Sequence, residues 1–191
     1  MISERARRAT QGLLTGVASL VARTGITPSF LTVLGFLLSA VTGGVLTRGA
    51  FTLGGILVLV AGLFDALDGS VARVTGRTST FGAFLDSTLD RFSEAVIYLG
   101  LLIYFANQPD GRLEVVLIDV SIVASLMVSY TRARAEGLGI DCRVGLFTRM
   151  ERLIVLLLGL LVGRVRVALW IVALGSLLTA LQRVWHVWRK T

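Results

Sequence analysis

The chain has 191 residues, of which 54% are hydrophobic and only 16% charged, against roughly 25% charged in an ordinary soluble domain. That excludes a water-soluble globular protein and leaves a single polytopic membrane domain over 1–191 as the expectation. The net charge of +7 does not indicate nucleic-acid binding, because no basic face alternates with aromatic residues, and attraction of arginines to anionic head groups accounts for it. The one cysteine, Cys142, excludes an intrachain disulfide.

In chain order, residues 1–25 place Ile2, Leu13, Leu14, Val17, Leu20 and Val21 near helical spacing, with Arg5, Arg7, Arg8 and Arg23 elsewhere. This predicts a juxtamembrane amphipathic helix lying on the membrane surface among its lipids. No cleavable signal peptide is expected, since the segment lacks a short apolar core followed by small residues. Thr27-Pro28 opens the next element, with Pro28 suited to a first helical turn. Spans are expected at 29–47, 51–67, 82–106, 113–135, 149–163 and 166–187. The fold class is therefore all-α, with six transmembrane helices forming a core over 29–187 behind the surface helix. The fifth span is short and opens with the charged Arg149, Glu151 and Arg152.

Six spans put both termini on one side, together with fifteen of the nineteen basic residues; only Arg48, Arg112, Arg164 and Arg166 fall on the other. Basic residues mark the cytoplasmic side, so both termini and the loop after the second span are expected there. The Gly-Gly pairs at 43–44 and 54–55 read as sites of close helix packing. His186, beside Trp185 and Trp188, belongs to an interfacial aromatic belt.

The segment from Asp65 to Asp90 follows the pattern D-x2-D-G-x2-A-R-x8-G-x3-D-x3-D. A carboxylate at bilayer depth costs roughly 2.5–3.5 kcal/mol, and four brought together repel one another unless a cation sits among them. Asp65 and Asp68 are spaced i,i+3 at one helix end and Asp86 and Asp90 i,i+4 at the next helix start, so convergence is expected. Glycines at 69, 76 and 82 allow a tight loop between them. Oxygen donors with no His or Cys nearby suit Mg²⁺ or Mn²⁺ rather than zinc. A divalent-cation transporter is the rival class, although the acids cluster at one membrane face instead of threading the bilayer.

A second group comprises Arg132, in SYTRARAE (129–136), Arg149 and Arg152, in TRMERL (148–153), and Arg183. Arginines at cytoplasmic span ends often only snorkel. Guanidinium groups from three span ends, however, can hold a phosphate bidentately.

Position for position, Asp65, Asp68, Gly69, Ala72, Arg73, Gly82, Asp86 and Asp90 resemble the signature of the CDP-alcohol phosphotransferases, integral membrane enzymes that make phospholipid head groups. The resemblance implies transfer of a lipid-phosphoryl group from a CDP-linked lipid, CDP-diacylglycerol or CDP-archaeol, to a hydroxyl acceptor, with release of CMP. It implies that Asp65, Asp68, Asp86 and Asp90 form the Mg²⁺ or Mn²⁺ site, with Asp90 also the general base. It implies CDP-lipid contacts at Gly69, Ala72, Arg73, Ser79 and Gly82. The segment 27–35 resembles the start of the family's first span and adds Ser29, where the family frequently has Asn, and Thr32. The arginine strings resemble the branch that uses an inositol phosphate, so Arg132, Arg149, Arg152 and Arg183 are expected to bind the acceptor's phosphate beside the metal site. Glycerol 3-phosphate is the alternative acceptor. The resemblance further implies a homodimer in a prokaryotic cell membrane.

Overall fold

The computed structural model describes residues 15–191. Among them the regular structure is all helical: α1 over 15–23, α2 Pro28–Leu46, α3 Phe51–Thr75, α4 Thr80–Ala106, α5 Arg112–Gly137, α6 Arg149–Leu161 and α7 Val165–Trp188. Of the surface helix expected over 1–25, residues 15–23 are helical, with Val17 and Leu20 exposed. Ile2, Arg5, Arg7, Arg8, Leu13 and Leu14 lie outside the described residues.

Four of these helices, α2, α3, α5 and α7, have the length and apolar composition needed to cross a membrane. Helix α4 is long enough, with 27 residues, but carries Asp86, Asp90, Arg91 and Glu94 between its start and its middle. Helix α6 has only 13 residues, a rise of about 20 Å at ~1.5 Å per residue, short of the ~30 Å hydrocarbon core.

Local chemistry sets the helix ends. Phe30 donates its backbone N–H to the Thr27 hydroxyl at 3.3 Å, which caps α2 ahead of Pro28. Helix α3 runs on to Thr75 instead of ending near residue 67, so the first half of the aspartate motif is helical rather than a loop. Gly69 does not break it, since one glycine in a helix costs only about 1 kcal/mol. The break comes at Gly76, whose φ of +63° is a left-handed conformation that favours glycine. Helix α6 begins with a capping box in which the Glu151 carboxylate accepts the Thr148 backbone N–H at 2.8 Å.

The chain divides into two compact units. The described part of the first comprises 15–41 and Leu59–Glu94, and its small apolar core joins Ala18, Leu31 and Val71 to Val21, Ile26 and Phe64. The second comprises Thr42–Val58 and Ala95–Thr191 around a larger core that includes Leu46, Tyr98, Leu101, Ile118, Leu156 and Leu169. In this second unit α5 and α7 run parallel: Glu114 pairs with Arg166 near their starts, and Arg183 reaches the Val128 carbonyl further along. The pair between the buried Glu114 and the exposed Arg166 has no counterpart in the sequence-based expectations.

Glycine packing is tight in the second unit. A Cβ on Gly43 would stand 2.6 Å from the Val96 carbonyl oxygen, and one on Gly100 would collide with the Gly43 backbone. Gly54 and Gly55 face Leu46 and the Leu160–Leu161 pair, whereas Gly44 faces open space. Three of the four paired glycines thus serve helix contact.

Candidate functional site

Helix α3 carries Asp65 and Asp68 and α4 carries Asp86; each offers a carboxylate oxygen within 4.8 Å of the other two. Asp68 is buried, at 5% exposure, while Asp65 and Asp86 are half-buried. The Thr32 hydroxyl donates to Asp68 Oδ2 at 2.7 Å and lies 3.1 Å from the Pro28 carbonyl. A hydroxyl has one proton, and the shorter, charge-assisted bond to the carboxylate is the stronger of the two. Thr32 therefore orients Asp68 from α2.

Asp90 stands one turn along α4, outside this three-carboxylate group. It is half-buried and lies 3.6 Å from the Arg91 guanidinium. Glu94, one turn further, is buried. The donor set of the group is oxygen only, and its three acids repel one another at this spacing. Both facts fit a hard divalent cation such as Mg²⁺ or Mn²⁺.

Beside the carboxylates opens a cavity of about 220 Å³, whose walls include Asp68 and Asp86. Ser29, Gly69, Ala72, Arg73, Ser79 and Gly82, all expected at a ligand site from the sequence, line it. Thr32 does not, because its hydroxyl is turned to Asp68. The spacing of Gly69 and Arg73 has a local reason: they lie one helical turn apart, and the Arg73 guanidinium extends back across the bare glycine. Its Nη2 donates to Ser70 Oγ at 3.1 Å.

Ser79 caps α4, its Oγ accepting the Gly82 N–H at 2.9 Å. A Cβ on Gly82 would press on that oxygen at 3.0 Å, so glycine keeps the cap seated. The first turn of α4, with its outward-facing N–H groups, adds a partial positive charge near the cavity. Pro28, Arg77, Thr78 and Ala83 complete the lining. None of these four is expected at a ligand site from the sequence: Pro28 reads there as a helix start, and the signal for Arg77 is its place next to Gly76.

The arginine group belongs to the second unit. Arg152 is 1% and Arg183 4% exposed, and Arg132 and Arg152 lie close enough to Arg183 to repel it. Arg183 Nε donates to the Val144 carbonyl at 2.9 Å and its Nη1 to the Val128 carbonyl. It thereby ties the 138–148 loop and α5 to α7. Phe147 strengthens the tie, donating its N–H to Thr179 Oγ1 at 3.0 Å. Arg132 sits at the surface in an i,i+4 ion pair with Glu136 at 2.8 Å. Arg149 is half-buried at the start of α6. Burial of cations beside one another suits an anion-binding surface, and it also suits the carbonyl ties that Arg183 already makes.

The family model of the CDP-alcohol phosphatidyltransferases matches residues 25–188. The chain is 36% identical over 207 residues to a phosphatidylinositol phosphate synthase of Streptomyces avermitilis, covering 100% of this chain and 84% of that protein. It is 37% identical over 174 residues to an archaetidylinositol phosphate synthase of Methanothermobacter thermautotrophicus, covering 88% and 86%. The crystal structure of Mycobacterium tuberculosis phosphatidylinositol phosphate synthase with CDP-DAG bound is similar at a TM-score of 0.86 and 34% identity, over 92% of this chain and 93% of that one. The same mycobacterial protein has been solved in complex with manganese and citrate, also with a TM-score of 0.86.

Proposed function

Because the chain belongs to the CDP-alcohol phosphatidyltransferase family, we propose that it transfers the lipid-phosphoryl group of a CDP-linked lipid to a hydroxyl of an inositol phosphate, releasing CMP. The observation that carries this reading is the convergence of Asp65 with Asp68 and Asp86, the latter two in the wall of a cavity also lined by Gly69, Ala72, Arg73, Ser79 and Gly82. The names of the relatives support the acceptor.

In this reading Asp65, Asp68 and Asp86 hold a divalent cation. When bound, such a cation neutralises diphosphate charge and stabilises the leaving CMP. Thr32 keeps the Asp68 carboxylate turned inward. Gly69 and Ala72 leave room for the nucleotide against the α3 backbone, Arg73 meets the phosphates, and Ser29, Ser79 and Gly82 border the nucleotide. An alcohol is a weak nucleophile at neutral pH, so Asp90 takes the acceptor's hydroxyl proton as its oxygen bonds to the lipid-linked phosphorus. The bond from that phosphorus to the bridging oxygen breaks, and CMP carries the oxygen away. Arg132, Arg149, Arg152 and Arg183 hold the acceptor's phosphate, with Arg183 also serving its loop tie.

The same reading makes α2 to α7 six spans with both termini and the carboxylates on the cytoplasmic side, in a homodimer among membrane lipids. The basic-residue asymmetry of the sequence supports the sidedness. The test is release of labelled CMP from CDP-diacylglycerol and from CDP-archaeol against inositol phosphate, free inositol and glycerol 3-phosphate. Inositol phosphate is expected to be turned over fastest. Equal use of free inositol would remove the phosphate pocket, and preference for glycerol 3-phosphate would replace the acceptor. Metal flux into liposomes without CMP release would make the protein a transporter.

A further inference from the structure

We infer that Arg77 is a further substrate-binding residue, contacting the diphosphate of the CDP group; this rests on the nucleotide reading of the cavity. Helix α3 ends at Thr75 and α4 begins at Thr80, and the left-handed Gly76 turns the short connection between them. Arg77 follows directly and lines the same cavity wall as Asp68, Gly69 and Asp86.

The two cavity arginines differ. Arg73 is engaged by Ser70 and lies across Gly69. Arg77 is exposed and makes no hydrogen bond or ion pair among the described residues. Three carboxylates converge nearby, and their three negative charges already exceed the two positive charges a single divalent cation supplies. A diphosphate diester brings one further negative charge on each phosphate. A second guanidinium at the cavity, not already spent on a neighbour, fits that demand and presents the fork that suits phosphate oxygens. An arginine in a cytoplasmic loop could instead meet only anionic head groups, so the test is run in micelles that contain none.

The experiment is calorimetric titration of soluble CDP into the full chain with Mn²⁺, in neutral detergent, using the natural protein, Arg77→Ala, Arg77→Lys and, as a surface-cation control, Arg189→Ala. Arg77→Ala is expected to bind CDP about tenfold more weakly, the effect of one charge-assisted contact. CMP, with one phosphate fewer, should lose less. Arg77→Lys should recover part of the loss through its charge, and Arg189→Ala should match the natural protein. In turnover, the CDP-lipid KM should rise while the acceptor KM stays put. Undiminished CDP binding by Arg77→Ala would overturn the inference and leave the nucleotide reading standing. Loss of Mn²⁺ affinity in step with CDP would make the residue structural and overturn it as well. Absence of CDP binding by the natural protein would overturn both the inference and the reading beneath it.

Discussion

Three carboxylates converge in one unit of the molecule and a group of arginines in the other, and the two groups are neutralised by different means. Around the carboxylates the cavity wall is mostly small or hydroxylated, its Arg73 is engaged by Ser70, and the Thr32 hydroxyl is bonded to Asp68. The arginines are balanced largely from within: Arg183 by two main-chain carbonyls and Arg132 by Glu136. A cluster of converging oxygen donors suits a hard cation from outside. One whose charges are balanced from within can be partly architecture. Residues of the first cluster should govern turnover, and residues of the second should also govern stability.

The largest effect is expected at the carboxylates. Asp65→Asn, Asp68→Asn and Asp86→Asn should each lower CMP release by about a hundredfold or more, with helical content unchanged by circular dichroism. Asp90→Asn should lose turnover comparably, since a general base contributes about 10²–10⁴-fold, yet retain Mn²⁺ binding in electron paramagnetic resonance. Loss of Mn²⁺ binding by Asp90→Asn would move it into the ligand set.

Thr32→Val comes next. Removing a partner that orients a metal-binding carboxylate costs about 10–100-fold in metal affinity, so the Mg²⁺ concentration for half-maximal rate should rise, with Thr32→Ser restoring it. An unchanged Mg²⁺ dependence would reduce Thr32 to a helix hydroxyl bonded to Pro28.

Smaller effects should split the arginine group. Arg132→Ala should raise the acceptor KM about tenfold, as loss of one charge-assisted hydrogen bond does, with Tm unchanged. Arg183→Met should also lower Tm, because the buried Val128 carbonyl loses its donor at about 1–3 kcal/mol and the part-buried Val144 carbonyl loses its own as well. If both variants changed only KM, the contrast drawn between the two units would fail. The mildest probe alters no contact: with cysteines introduced at 5, 110 and 189, only position 110 should label from outside intact cells.

The aspartate motif was legible because metal and nucleotide chemistry restrict residue type at fixed helical spacings: the i,i+3 pair Asp65 and Asp68 meets Asp86 from the adjoining helix, while Asp90, the i,i+4 partner of Asp86, lies outside that group. The all-helical class followed from apolar run length for the same direct reason. Helix α3 outruns its expected end near residue 67 because, of the glycines at 69, 76 and 82, Gly69 sits within the helix and the left-handed turn falls at Gly76. The bond from Thr32 to Asp68 joins positions 36 apart, and nothing local in either segment announces it. The ties from Arg183 end on main-chain carbonyls, which carry no side-chain signature at all. The capping box at Thr148 and Glu151 was open to reading in T-R-M-E and would have marked the start of α6.

The most direct measurement is labelled CMP release by the purified protein supplied with CDP-lipid and inositol phosphate, first with Mg²⁺, then after chelation by EDTA, then after Mg²⁺ is restored. A metal centre built on Asp65, Asp68 and Asp86 predicts release that stops on chelation and resumes on restoration in the natural protein, and stays near background throughout in Asp68→Asn. Release that continues undiminished in EDTA, or an Asp68→Asn variant as active as the natural chain, would contradict it.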